Sequence, residues 1–329
     1  MRILITGGAG FIAHHLVEYV LLNTDFDIVT LDRLDFSGNL NRLKEVVSKY
    51  EFEQRVKVVY HDLKSSLNPS IVSMIGNIDY IAHLAAGSHV DRSIDYPMEF
   101  VQDNTVGTVN LLEYARDLKG LKKFLYFSTD EVFGPAPKGV RYKEYDRYNS
   151  TNPYSASKAA AEEFCVAYRN TYNLPVIVTH TMNVFGERQH PEKYIPSCIR
   201  KIRDGDTVYI HSNKKRDKAG SRFYIHANDV SSAVVFLLNK ELEESDICPK
   251  FNIVGAEEID NLELAKRIAY FQGKELKYEM VDFHSSRPGH DLRYALCGEK
   301  MKSIGWEPSS LTKKLNETIS WTLENTRWL

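Results

Sequence analysis

The sequence predicts an α/β protein built on a doubly wound parallel sheet, and three features of its 329 residues carry that expectation. Short β-branched runs alternate with segments of helical period, a glycine-rich turn joins the first run to the first such segment, and aspartates close the second and third runs. The runs are "RILIT", "DIVTLD", "VKVVYHD", "IDYIAHLA", "KFLYFST" and "PVIVTHT", and the helical segments cover 11 to 22, 39 to 50, 68 to 75, 97 to 118 and 153 to 172. Beyond about residue 186 the rhythm loosens into mixed helices and short strands separated by "DGD", "KAGS" and "RPGHD". Residues 1–186 are therefore expected to form a nucleotide-binding half that also holds the chemistry. Residues 187–329 are expected to form a smaller, mixed α/β substrate-binding part, with some of its chain crossing back.

Composition narrows the function. Lys and Arg number 42 against 44 Asp and Glu, a formal charge of -2, so no global field favours nucleic acid or a membrane surface. The densest basic run, "NKKRDKAGSR" at 213 to 222, reads as a solvated loop. Cys165, Cys198, Cys248 and Cys297 are far apart, without the spacing of a zinc site or a disulfide framework. The opening "MRILIT" is strand-like, and no apolar run approaches a membrane span. The expectation is a cytoplasmic protein with no metal, nucleic-acid or membrane partner.

The stretch "ILITGGAGFIAHHLVEYV" sets Gly7, Gly8, Gly10 and Ala13 between a strand and an amphipathic helix, matching the dinucleotide fingerprint at Gly8, Gly10 and Ala13. Small residues there allow a tight turn and close backbone approach to a pyrophosphate, while the helix N-terminus offers unpaired N–H groups to the anion. Asp32 ends the next strand twenty-two positions after Gly10, where a carboxylate can accept both hydrogen bonds of a ribose diol and would repel a 2'-phosphate. NAD is thus expected over NADP. Arg33 reads either as a surface charge or as a 2'-phosphate contact, and Asp62 as an adenine contact or a loop cap.

In "NPYSASKAAAEEF", Tyr154 and Lys158 lie four residues apart on one face of a helix starting near Pro153. A phenol with a free pKa near 10 becomes a base only if positive charge stabilises its phenolate. A nearby ammonium and an oxidised nicotinamide would do so, and the phenolate could then take an alcohol proton as hydride departs, with Thr129 orienting the alcohol. Before this helix, "FLYFSTDEVFG" ends a strand on Thr129, Asp130 and Glu131. Adjacent acids repel and packing does not call for them, so their reason is expected to be chemical. Consecutive residues of an extended strand point to opposite faces, so the chain should leave strand geometry at Asp130 if both acids serve one substrate.

With "TGGAGFIA", "HLAAGSHVDRSI", "STDEVFG", "NPYSASKAAAEE", "PEKYIP" and "RPGHDLRY", the chain resembles the extended short-chain dehydrogenase/reductases from residue 1 to about 310. Within them it is most similar to the nucleotide-sugar 4,6-dehydratases acting on dTDP-glucose or UDP-glucose. The resemblance implies a Rossmann-like fold and a bound NAD contacted by Gly7, Gly10, Phe11, Ile12, Asp32, Arg33, Asp62, Leu63, Leu84, Ala85, Ala86, Tyr154 and Lys158. It implies that Glu131 removes the C5 proton and Asp130 protonates the leaving C6 hydroxyl, Asp130 keeping its proton through burial and the neighbouring Glu131 charge. It further implies a nucleoside-diphosphate hexose held by Ser88, Thr129, Asn183, Glu192, Lys193, Arg222, Asn252, Arg287, His290 and Asp291. A homodimer paired through the 97 to 118 and 153 to 172 helices is expected on the same ground.

The chain also departs from the pattern it resembles. Gly87 stands where Glu or Gln is usual, His180 to Met182 replace Arg-Cys-Ser, Val184 replaces a second Asn, and the basic loop before Arg222 is longer. Thymine and uracil differ by one methyl, worth only about 1 to 3 kcal/mol of discrimination, so the base stays open. A 4-epimerase or decarboxylase of the same fold would use Tyr154 and Lys158 without Asp130, and a non-catalytic NAD-binding regulator would need none of the four.

Overall fold

The computed structural model describes every residue except 51, 244, 246 and 283–291. Seven strands form the main sheet in the order β11-β6-β5-β4-β1-β2-β3, all parallel: β1 (Arg2–Thr6), β2 (Asp27–Asp32), β3 (Val56–Tyr60), β4 (Tyr80–His83), β5 (Lys123–Thr129), β6 (Val176–Thr181) and β11 (Lys250–Ile253). The connecting helices are α1 (Phe11–Asn23), α2 (Leu40–Lys49), α3 (Pro69–Ile75), α4 (Val90–Asp95), α5 (Pro97–Phe100), α6 (Gly107–Arg116) and α7 (Pro153–Tyr172). A π-helical turn, Val101–Val106, joins α5 to α6 into one rod over much of the stretch predicted as helix. Strand order reverses between β4 and β1, and the crevice beyond their carboxyl ends is where such sheets bind ligands.

Alternation within each strand builds two cores. Ile3, Ile5, Leu125 and Phe127 face α1, whereas Leu4, Phe124 and Tyr126 face α6 and α7. The inner strands are covered on both faces and read as largely apolar runs, whereas β3, at the sheet edge, is mostly exposed.

The second half of the chain contributes to both bodies. Helix α9 (Ala227–Asn239) packs Val234 and Leu237 into the core with Ile3, and β11 extends the sheet beside β6. The remaining elements are β7 (Val184–Phe185) with β10 (Ile225–His226), β8 (Val208–Ser212) with β13 (Tyr278–Asp282), and β9 (Ser221–Phe223) with β12 (Glu258–Asp260). Helices α8 (Tyr194–Asp204), α10 (Asn261–Phe271) and α12 (Leu311–Glu324) share a separate core of Ile199, Ile268 and Leu315, and a short α11 (Glu299–Ser303) lies against β11. Among the described residues no helix is long and apolar enough to cross a membrane.

Candidate active site

At the end of β1 the backbone turns through Gly7, at φ +73°. A Cβ would lie 3.0 Å from Ala85 at Gly7, 2.5 Å from the Thr30 side chain at Gly8 and 2.8 Å from the Gly7 carbonyl at Gly10, so the turn tolerates only hydrogen at these places. Gly10 caps α1 without any side chain, leaving the first-turn N–H groups for an anion. Asp32 Oδ2 accepts from Ala9 N at 2.9 Å and Oδ1 from Leu34 N at 2.8 Å, which fixes the carboxylate beside the glycine turn. Phe11 and Ile12 open α1, and Leu63 is buried beside Gly107. These residues fit a dinucleotide.

Arg33 is not the plain surface charge the sequence allowed. It is half-buried, with its terminal nitrogens 2.5 and 2.7 Å from the Asp103 carboxylate and Nε 2.8 Å from Asp35. Asp62 accepts from Lys64 N at 3.0 Å, the loop-cap alternative.

A relay unnoticed in the sequence supports this crevice. The N–H groups of Leu84 and Ala85, which precede Ala86, donate to Thr6 Oγ1 at 3.1 Å. That hydroxyl lies 2.7 Å from His83 Nδ1, and His83 Nε2 lies 3.0 Å from Thr108 Oγ1. Burial, with Lys158 nearby, pushes His83 down to about 3, so the ring is neutral, accepting from Thr6 and donating to Thr108. Asn104, on the π-helical turn, exchanges bonds with Gly87 (2.7 and 3.0 Å) and donates to Ser157 at 2.9 Å, tying the crevice to α7.

The chemistry-bearing residues converge beyond β5. Strand geometry ends at Thr129, and Asp130–Phe133 form one 3-10 turn, closed by Gly134 at φ +72°. A Cβ on Gly134 would lie 2.3 Å from the Asn149 carbonyl, so the turn demands glycine. The Thr129 hydroxyl lies 3.1 Å from Asp130 Oδ1, and Asp130 Oδ2 is buried with no hydrogen-bond partner among the described residues. Glu131 Oε2 accepts from Asn152 Nδ2 at 3.1 Å. Asn152 is also the N-cap of α7, its Oδ1 accepting from Ser155 N at 2.8 Å, so one amide starts the Tyr154 helix and holds Glu131. The sequence signal for the cap was Asn before Pro153; the donation to Glu131 had none.

Burial pushes Asp130 up to about 6, against Arg222 and the Thr129 hydrogen bond. Burial followed by the Asp130 charge pushes Glu131 up to about 7. Arg222 favours the ionised form of both carboxyls, while the Asn152 amide and Lys193 act on Glu131 and the Thr129 hydroxyl on Asp130. Both carboxyls titrate above their unfolded values, so their contribution to stability is full below about pH 4 and is lost as pH rises through about 7. Buried His14, His15 and His83 titrate below their unfolded values and act in the opposite direction, so the effect of the pair is read as a difference. In urea unfolding followed against pH, the parent should lose stability across that window relative to Asp130→Asn/Glu131→Gln by up to about 1.4 kcal/mol per unit per group.

Tyr154 is buried beside these acids. Burial and the Glu131 charge raise its phenol, with Thr129 hydrogen bonding in opposition. Lys158 does not relieve this: its Nζ donates to the Phe127 carbonyl at 2.6 Å over the Tyr126 ring, and burial pushes it down to about 7.

Of the expected sugar-nucleotide contacts, Arg222 and Lys193 act electrostatically on the carboxyls, which places both cations at this site. Arg222 also donates to the Ser221 and Leu292 carbonyls at 2.7 Å. Asn183 is exposed at the carboxyl end of β6, Ser88 is exposed before α4, and Glu192 is exposed beside Lys193, the N-cap of α8. Arg287, His290 and Asp291 lie outside the described residues.

Asn252 is corrected. It is fully buried in β11, its Nδ2 donating to the carbonyls of Tyr142 (3.0 Å) and Cys297 (3.2 Å) and its Oδ1 3.0 Å from His180 Nδ1, so no part of it faces a substrate. His180 in turn meets Glu162 at 3.2 Å, and Lys250 reaches Glu162 at 2.7 Å. Replacing Glu162 with alanine strands Lys250 inside the protein, an expected loss of about 3 to 5 kcal/mol, measurable as a drop in urea midpoint.

Fold and site together define an extended short-chain dehydrogenase/reductase. A family model described as GDP-mannose 4,6 dehydratase matches residues 4–319, and the chain belongs to this family of nucleotide-sugar 4,6-dehydratases. It is 38% identical over 308 residues to a low-salt glycan biosynthesis protein of Haloferax volcanii, covering 94% of each chain. It is 35% identical over 356 residues to a dTDP-glucose 4,6-dehydratase of Escherichia coli, covering 100% of this chain and 95% of the other. A crystal structure of dTDP-glucose 4,6-dehydratase from Bacillus anthracis in complex with NAD superposes with a TM-score of 0.87 at 33% identity, covering 100% and 98% of the two chains.

Proposed function

We propose that the chain catalyses the NAD-dependent dehydration of a nucleoside-diphosphate glucose, dTDP- or UDP-glucose, to the 4-keto-6-deoxy sugar. The observation that carries this reading is the pair Asp130 and Glu131, turned out of β5 by one 3-10 turn, with a buried Asp130 oxygen that has no partner among the described residues and Glu131 held by Asn152. Burial raises both carboxyls, so the pair can retain a proton near neutrality, as an acid working beside a base requires.

NAD, which the glycine turn and Asp32 would hold, would supply a hydride acceptor for C4 and a donor for C6, so the reaction would be redox-neutral overall. Tyr154 takes the C4 hydroxyl proton, with Thr129 orienting that hydroxyl. Because burial and Glu131 keep the phenol protonated in the chain by itself, this step belongs to the cofactor-bound state. Once C4 is a ketone the C5 hydrogen is acidic; Glu131 removes it while Asp130 protonates the departing C6 hydroxyl. Arg222 and Lys193 suit the diphosphate. Its charge would offset Arg222, the cation that favours ionised Asp130, so substrate binding would strengthen Asp130 as the acid.

Incubation with dTDP-, UDP-, CDP- and GDP-glucose, followed by mass detection of water loss, tests reaction and base together. Inversion at C4 without water loss would point to a 4-epimerase instead.

The reading carries with it a homodimer and a cytoplasmic location. Tyr96, Met98 and Val101 beside and along the α5–α6 rod, and Phe164 and Tyr172 on α7, are exposed large hydrophobics that a partner would cover. Light scattering at micromolar protein is expected to give twice the chain mass of 37.7 kDa; the single-chain mass would reject the dimer.

A further inference from the structure

We propose that Asp103 is a specificity-determining residue for the cofactor: by pairing with Arg33 it withdraws that guanidinium from any 2'-phosphate, and so makes the site select NAD over NADP. This rests on the dinucleotide reading of the crevice. Arg33 directly follows Asp32 at the carboxyl end of β2, the place from which an arginine can accommodate the 2'-phosphate. Left to itself, such an arginine would compete with the preference set by Asp32.

In the structure each of its three nitrogens already donates to a carboxylate. Both terminal nitrogens engage Asp103, at 2.5 and 2.7 Å, and Nε engages Asp35 at 2.8 Å. Asp62 stands a further 3.7 Å from Nη1. A 2'-phosphate would have to break a two-point ion pair and then lie among the carboxylates of Asp32, Asp35, Asp62 and Asp103, with Lys64 the cation beside them.

The position of Asp103 is built into the fold. Its side chain is only 11% exposed, and its neighbour Asn104 is locked to Gly87 through both ends of its amide and to Ser157. A Cβ on residue 87 would come within 3.2 Å of both Asp103 Oδ2 and the Phe100 ring. Glycine at 87, one of the chain's departures from the pattern it resembles, therefore leaves the room in which Asp103 reaches Arg33. The pair joins residues seventy positions apart.

The test is the nucleotide carried by purified protein, released with acid, together with competitive loading from equimolar NAD and NADP. Asp103→Asn is expected to raise the NADP:NAD ratio by about tenfold or more, the size of one charge-assisted hydrogen bond gained. Asp103→Glu should restore the wild-type ratio, and Arg33→Gln added to Asp103→Asn should abolish the gain; a merely structural role would weaken both cofactors alike. An unchanged ratio in folded Asp103→Asn, or a gain that survives Arg33→Gln, overturns the inference. Should Asp103→Asn not fold, Asp35→Asn removes the guanidinium's more exposed partner and must shift the ratio in the same direction or the inference fails. A wild-type protein that takes up neither dinucleotide would overturn the cofactor reading itself, and this inference with it.

Discussion

Asp130→Asn is expected to leave C4 oxidation and C5 proton exchange running while water loss slows by about 100-fold or more. Asparagine keeps the size of the side chain and can still accept from Thr129, but it has no proton to give the leaving hydroxyl. Because Asp130 Oδ2 has no partner among the described residues, the new amide would also bury an unsatisfied donor, at a cost of about 1 to 3 kcal/mol that a melting curve would register. Glu131→Gln should fail differently. With the C5 proton retained, deuterium from solvent does not reach C5, and enzyme-bound NADH accumulates from the completed oxidation. Near wild-type water loss by both variants in D2O would show the acids to be loop decoration and end the dehydratase reading.

Tyr154→Phe is expected to abolish C4 oxidation, a loss of about 100- to 10,000-fold, since no other group takes the C4 hydroxyl proton. Cofactor binding should survive, because the backbone N–H of residue 154 still bonds Ser93 Oγ at 3.1 Å and the ring still meets the edge of Phe100. The phenol is uncharged near neutrality, so its loss removes no buried charge, and the variant should lose only the Thr129 hydrogen bond, about 0.5 to 1.5 kcal/mol. Single-turnover absorbance of NADH measures the oxidation step alone; full NADH formation by the variant would remove Tyr154 from the mechanism.

Several elements could be read before any coordinates. The six runs from "RILIT" to "PVIVTHT" become six neighbouring strands: the five inner ones are largely apolar because both their faces are covered, and β3 is an exposed edge strand. The turn at Asp130 followed from the two-residue period of strands, which forbids adjacent acids from sharing a face unless the chain bends. Asn252 was misplaced because a buried asparagine and a ligand-binding one look alike in sequence; only its amide partners, Tyr142, Cys297 and His180, distinguish them. The ammonium of Lys158 was assigned from helical spacing, yet a long flexible side chain settles on its best acceptor, the Phe127 carbonyl.

By itself, then, the sequence determined what depends on neighbours along the chain: strand and helix periods, the glycine turn, the helix start near Pro153, and the succession Thr129, Asp130, Glu131. Tertiary structure decided what depends on distant segments meeting: the Asn152 bond to Glu131, the Arg222 charge that favours ionised Asp130, the Thr6–His83–Thr108 relay, and the Arg33–Asp103 pair. The division has a physical cause. Hydrogen bonding within a turn and burial of a periodic face act over a few residues, whereas the energy of a charge or a buried amide is set by whatever the fold brings within a few ångströms.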